Sequence, residues 1–271
     1  MGNSRFRDGH VAKQTAGARR LWVFDFDGTL SPLVPDRSVA TLHPACRKML
    51  TELSAKPREI VAVLSSRALE DLVPRVPIPG VYLGGGSGLE WRLPGGVRLR
   101  PGREAERKAE KRREEIFPLL ETLRAIPGVE VEDKRWSMAV HTRRVPRAAR
   151  GGLVPLLEAL RGRAGLRVFT GPESTEVPLL VSASKSFGLR TLCRHLEFDP
   201  SEGRVVYAGD DGNDAVAMRW VLARNGVALV VGDRIEVPGA TRLEDPPGLA
   251  TAVHKMANLP SGRRKREAAA G

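Results

Sequence analysis

A chain of 271 residues can form one large domain or two smaller ones, and 41% apolar with 28% charged side chains is ordinary for a soluble globular protein. The net charge of +12 is spread along the chain, and aromatics are only 5%, which leaves little for base stacking and argues against a nucleic-acid binder. The two cysteines, Cys46 and Cys193, stand in helical patterns with no CxxC or Cys/His cluster, which argues against a disulfide framework or a structural zinc site.

The opening MGNSRFRDGHVAKQTAGARR has no apolar signal core, and it misses the myristoylation pattern because Phe6 stands where Ser or Thr is needed. No apolar run approaches the length of a membrane span. The expectation is a cytoplasmic protein with neither membrane nor nucleic acid as partner, opening on a mobile arm over 1–19.

Near-continuous apolar strands then alternate with amphipathic helices: strand LWVFDF (21–26), a helix over 43–56, and strands EIVAVLS (59–65) and VYLGG (81–85). Residues 104–124 form a long charged helix, largely a solvated face. VEVEDK (129–134), WSMAVHTR (136–143), LRVFTG (166–171) and STEVPL (174–179) alternate polar and apolar as half-exposed antiparallel strands do, with a helix over 145–162 between the second and third. The first pattern resumes with a helix over 185–198, strand RVVYAGD (204–210), a helix over 213–226 and strand VALVVG (227–232). This predicts an α/β protein. A Rossmann-like core with a parallel sheet spans 20–103 and 181–260, a smaller α/β domain is inserted over 104–180, and a disordered basic tail covers 261–271.

Ligands of open α/β sheets bind at the carboxyl ends of the strands. The first strand runs into Asp25 and Asp27 and breaks at Gly28; carboxylates without partners are costly in a core, so the pair must face water, a metal or a substrate. The second strand ends in Ser65-Ser66-Arg67, Lys185 opens a helix, and a later strand ends in Gly209-Asp210-Asp211-Gly212-Asn213-Asp214. Carboxylates from two strands, with a serine and a lysine, make a Mg²⁺ and phosphate site, because Mg²⁺ takes hard oxygen ligands and shares them with phosphate and water. The plainer alternatives are a turn or helix cap for Asp-x-Asp and Asp214, and an ordinary surface residue for Lys185.

DFDGTL, the serine at the second strand end, the helix-opening lysine and GDDGND resemble the four motifs of the haloacid-dehalogenase-like (HAD) phosphatases, over roughly residues 20 to 258. DFDGTLSPL, SSRALEDL, GGGSGLEW, EDKRWSMAVHTR, STEV and GDDGND, in that order, resemble the trehalose-6-phosphate phosphatases, whose inserted domain is a cap that closes over the sugar. The resemblance implies Asp25 as the nucleophile that forms an aspartyl-phosphate, and Asp27 as acid to the leaving sugar and then base to water. It implies Mg²⁺ held by Asp25, the Asp27 carbonyl and Asp210, with Asp211 and Asp214 around it, and phosphoryl oxygens held by Ser65 and Lys185. Lys134, Ser137, His141, Arg143 and Glu176 match the cap residues that bind substrate, and Arg67 and Glu90 join them. Strand alternation agrees: Ser137, His141 and Arg143 share one face, with Met138 and Val140 on the other.

The activity implied is hydrolysis of trehalose 6-phosphate to trehalose and phosphate, in a monomer with a functional link to a trehalose-phosphate synthase. Three positions depart from the family: Ser66 within SGR, Ser87 where histidine is usual, and Ser186 after the lysine. Ser87 bears on substrate identity, because losing a hydrogen-bonding group changes discrimination. The rivals are a phosphatase for sucrose 6-phosphate or mannosyl-3-phosphoglycerate, a sugar phosphomutase, and a non-catalytic sugar-phosphate binder. Asp25, Asp27 and Asp210 argue against the last.

Overall fold

The computed structural model describes residues 20–164, 168–170, 173–180 and 183–258. The expectations for 1–19 and for 261–271 lie outside these residues, as does part of LRVFTG.

Trp22 and Phe24 of the first strand, β1 (Arg20–Phe24), lie in one apolar cluster, and Leu21 and Val23 in another. A strand buried on both sides belongs in the middle of a sheet. There β1 pairs in parallel with β2 (Glu59–Leu64) and β10 (Val205–Gly209). The eight-stranded sheet extends beyond β10 through β11 (Val227–Val231) and β12 (Thr241–Leu243). Beyond β2 come β3 (Val81–Gly85) and then, antiparallel, β4 (Glu90–Arg92) and β5 (Arg98–Leu99). β4, β5 and β12 were not expected; at two or three residues each they carry no readable period.

One face is covered by α1 (Pro44–Ser54), the one-turn α2 (Leu69–Leu72) and α7 (Pro246–Asn258), the other by α5 (Lys185–His195) and α6 (Gly212–Leu222). Local chemistry sets where these helices start. Pro44 follows the N-cap His43, Ser184 accepts from the Phe187 N–H, and Asp211 and Asp214 form a reciprocal capping box. α6 stops four residues before the expected end, where Asn225 takes a left-handed φ of 58° ahead of Gly226.

Between β5 and α5 lies a second, four-stranded antiparallel sheet in the order β6 (Glu130–Asp133), β7 (Ser137–His141), β9 (Ser174–Pro178), β8 (Phe169–Thr170). Met138, Val140 and Val177 on one face pack with Ile116, Leu120 and Leu123 of α3 (Arg103–Arg124) and Leu153 and Leu160 of α4 (Arg150–Ala164). The register sets Glu132 opposite Ala139 and Ala139 opposite Glu176, so the other face is polar.

Candidate active site

β1 ends at Phe24, and the Asp25 N–H still pairs with the Ala208 carbonyl at 2.9 Å, so the Asp25 side chain leaves the sheet at its carboxyl edge, buried. The chain then turns tightly. The N–H groups of Leu30 and Ser31 donate to the Phe26 carbonyl, and Gly28 sits at φ 78°. A Cβ on Gly28 would lie 2.2 Å from Asp210 Oδ2, so a bare backbone is what lets the two acidic strand ends meet.

Lys185, the first residue of α5, lies between two carboxylates, with Nζ 2.6 Å from Asp25 Oδ1 and 2.7 Å from Asp214 Oδ1. The Tyr207 hydroxyl donates to the same Asp214 oxygen at 2.7 Å, and the N–H groups of Asp210 and Asp211 donate to its partner oxygen at 3.3 Å. Oxygens of Asp25, Asp210 and Asp214 lie within 4.8 Å of one another, and all three residues are buried. Arg234 holds Asp210 Oδ2 at 2.8 Å.

Burial pushes the Asp25 carboxyl up to about 8 against the pull of Lys185, with Asp210, Asp211 and Asp27 adding repulsion. Burial, with Asp214 and Asp211, pushes Asp210 up to about 7. Burial opposes charge on Lys185, but Asp214 and Asp25 outweigh it and hold the ammonium well above its ordinary value. Three crowded carboxylates that resist ionising together, with oxygen as the only donor atom, fit a hard divalent cation.

Asp211 is placed differently. Its carboxylate accepts from the Asn213 and Asp214 N–H groups and caps α6, outside the three-carboxylate group. Burial would raise it, but Lys185 and these hydrogen bonds keep it low.

Asp27 also stands outside that group. Arg67 binds it bidentately, Nε to Oδ2 and Nη2 to Oδ1, each at 2.7 Å. The Arg67 guanidinium is buried and also meets Asp71 and the Arg37 carbonyl. Ser65 is buried at the end of β2; its N–H pairs with the Gly84 carbonyl, and its own carbonyl accepts from Ser87. Ser87 is held at φ 57°, and its hydroxyl accepts from the Asn213 amide at 3.4 Å.

On the polar face of the second sheet Ser137 Oγ donates to Glu176 Oε1 at 2.8 Å, and Lys134, buried, reaches Glu176 Oε2 at 3.1 Å. His141 pairs with Glu132 at 2.9 Å, and Arg143 with Glu173 and the Val34 carbonyl. Glu90 is apart from this group, buried on β4 with Arg135 Nε at 3.3 Å and Arg100 Nε at 3.6 Å.

The sequence reading missed Tyr207, Glu132, Asp71 and Arg37. Two-residue alternation with Lys134 could have found Glu132, and i,i+4 spacing from Arg67 could have found Asp71. Nothing local marks Arg37.

The mostly parallel sheet carries acidic strand ends, with a second α/β layer beside them. Solved structures share this fold. The C-terminal domain of trehalose-6-phosphate phosphatase from C. albicans matches with TM-score 0.72 at 18% identity, over 94% of this chain and 98% of that one. A trehalose-6-phosphate phosphatase related protein matches with TM-score 0.69 at 16% identity, over 87% and 96%. The chain belongs to the trehalose-phosphatase family, whose model matches residues 23–240. Trehalose-phosphate phosphatase of Mycobacterium tuberculosis is 36% identical over 239 residues, and that of Mycobacterium ulcerans 35% over 241. These stretches cover 84% and 87% of this chain, which spans 57% and 60% of the length of those curated relatives.

Proposed function

We propose that this chain is a Mg²⁺-dependent phosphatase that hydrolyses trehalose 6-phosphate to trehalose and phosphate through an aspartyl-phosphate on Asp25. The observation that carries the reading is the pair of unlike carboxylates at one turn. Asp25 is buried on Lys185, and Asp27, two residues on, is part-exposed in the fork of Arg67.

Asp25 Oδ attacks phosphorus, and the bond from phosphorus to the sugar oxygen breaks. Asp27 gives that oxygen a proton, then takes one from the water that cleaves the aspartyl-phosphate. Lys185 offsets charge on Asp25 and, with Ser65, on the phosphoryl oxygens. Asp25, Asp210 and the Asp27 carbonyl would hold Mg²⁺, with Asp214 and Asp211 supporting them; when bound, it supplies the positive charge that favours ionised Asp25 and stabilises the phosphoryl group. Glu176, Ser137, Lys134, His141 and Arg143 offer donors and acceptors to sugar hydroxyls.

No helix among the described residues is long and apolar enough to cross a membrane. The reading places the protein in the cytoplasm as a monomer, with its substrate supplied by a trehalose-phosphate synthase.

The test is phosphate release, with and without Mg²⁺, from trehalose 6-phosphate, sucrose 6-phosphate, mannosyl-3-phosphoglycerate and glucose 6-phosphate. The expected result is a preference for trehalose 6-phosphate by about a hundredfold or more in kcat/KM, lost in Asp25→Asn. A stronger preference for another sugar would transfer the substrate assignment to it. Asp25→Asn with full activity would overturn the catalytic one.

A further inference from the structure

We infer that Arg37, a residue outside every motif above, is a positioning residue that ties the seating of the cap sheet to the side chain of Asp27. The inference rests on the proposed role of Asp27 as proton donor.

The main chain at Arg37 is fixed by the same groups that fix Asp27. Arg67 Nη2 donates both to Asp27 Oδ1 at 2.7 Å and to the Arg37 carbonyl at 2.8 Å. Arg75 holds the next turn through the Ser38 carbonyl at 3.2 Å and the Ala40 carbonyl at 2.5 Å, and Asp71 accepts from both arginines. Asp36 caps this turn through the Ser38 N–H at 2.9 Å. An arginine anchored in this way has a defined reach.

The side chain spans two layers. Its Nη1 lies 3.3 Å from Glu132 Oε2 on β6, and its Nη2 lies 4.0 Å from Asp27 Oδ2. Glu132 is directed at this guanidinium from one side while His141 holds the same oxygen from the other at 2.9 Å. Arg143 of the cap also reaches the Val34 carbonyl in the same core loop at 3.4 Å.

With the cap seated, Glu132 takes one arm of Arg37 and leaves Asp27 to the planar fork of Arg67. With the cap withdrawn, that arm loses its partner, and Asp27 is the nearest carboxylate for it. A second guanidinium on Asp27 would then cover the carboxyl oxygen that has to carry the proton to the leaving sugar oxygen. Arg37 thus makes productive placement of Asp27 conditional on a seated cap. A fork can bridge two carboxylates at once, which an ammonium on a flexible stem does less well.

The experiment is a double-mutant cycle on trehalose 6-phosphate with Arg37→Met, Glu132→Gln and the pair, with Arg37→Lys alongside. Glu132→Gln frees the Arg37 arm and should lower kcat about tenfold while KM moves less than about twofold; Arg37→Met removes the competing guanidinium and should lose less, with Arg37→Lys between them. The pair should match Arg37→Met within about twofold and be faster than Glu132→Gln alone, because without Arg37 there is no guanidinium for Glu132 to hold off Asp27. Losses that multiply, or a change confined to KM, would overturn the inference.

A second measurement needs no turnover: spin labels on Lys48→Cys of α1 and Glu114→Cys of α3, both exposed positions. Buried Cys46 and Cys193, their thiols pushed up to about 12, stay unlabelled. Arg37→Met should broaden the core-to-cap distance distribution; an unchanged distribution counts against the link. If the wild type cleaves p-nitrophenyl phosphate but no sugar phosphate, the substrate reading fails, and the distances still decide the role of Arg37.

Discussion

Arg67 and Asp27 meet as two parallel hydrogen bonds of 2.7 Å, with the guanidinium buried and the carboxylate part-exposed. The fork sets the plane of the carboxylate as well as its charge. Arg67→Lys keeps the charge and loses the plane, so kcat should fall about a hundredfold with KM nearly unchanged. Steady-state phosphate release measures this. An unchanged kcat would mean that orientation by the fork does not matter.

Lys185 is the charge partner of both Asp25 and Asp214 in a buried site. Lys185→Met removes one cation from between two acids and should cost about 3 kcal/mol of stability, read in urea unfolding of the metal-free protein. Activity should drop below about a thousandth, because both positioning and charge offset are lost.

With Asp25 pushed up to about 8, the folded metal-free protein keeps a proton that the unfolded chain, at its ordinary 3.8, has released. The folded state therefore binds more protons across that window, and its stability falls as pH rises from 3.8 to about 8, then levels off. Divalent cation binding near neutral pH should accordingly release between one and two protons, about one from Asp25 and a fraction from Asp210, fading above roughly pH 9. Titration calorimetry in buffers of different ionisation enthalpy measures the count. A value of zero at neutral pH would show that Asp25 is already ionised. Chelation should abolish turnover, and added Mg²⁺ should restore it.

Gly28 combines a left-handed backbone with a Cβ direction that ends 2.2 Å from Asp210 Oδ2. Gly28→Ala should cost about 1–2 kcal/mol from the backbone alone and displace Asp210 as well. Cation affinity measured by calorimetry should fall with activity. Gly95→Ala, at a position with open space around it and also at positive φ, is the control for backbone strain.

Glu176 holds both Ser137 and the buried Lys134. Glu176→Ala removes the hydrogen-bonded partner of that ammonium, leaving Glu132 as its neighbouring carboxylate, and should lower stability by about 2 kcal/mol, with a higher KM for the sugar phosphate. Glu176→Gln retains an acceptor and should recover most of the stability. Thermal unfolding and kinetics on the same samples separate the two effects.

The layout was legible in the order of residues alone. Apolar runs ending in Asp25, Ser65 and Asp210 marked strands whose carboxyl ends gather in a parallel sheet, because strand period and burial are local properties of the chain. Alternation in SMAVH likewise marked which face of β7 packs on helices. Three short strands, β4, β5 and β12, carried too few residues for any period to show.

What each charged side chain touches was not legible before the layers were assembled. Arg67 reads as a site residue beside Ser65, yet its guanidinium turns to Asp27, 40 positions away in sequence, and to Asp71. Asp211 stands in the same acidic run as Asp210 and Asp214, yet the start of α6 takes its carboxylate as a cap. Glu132 and Arg37 come together across two layers with no shared motif. A period of two or 3.6 residues assigns a face, whereas the partner on that face is chosen by packing between distant segments. Ionic contacts therefore appear only once the layers are assembled.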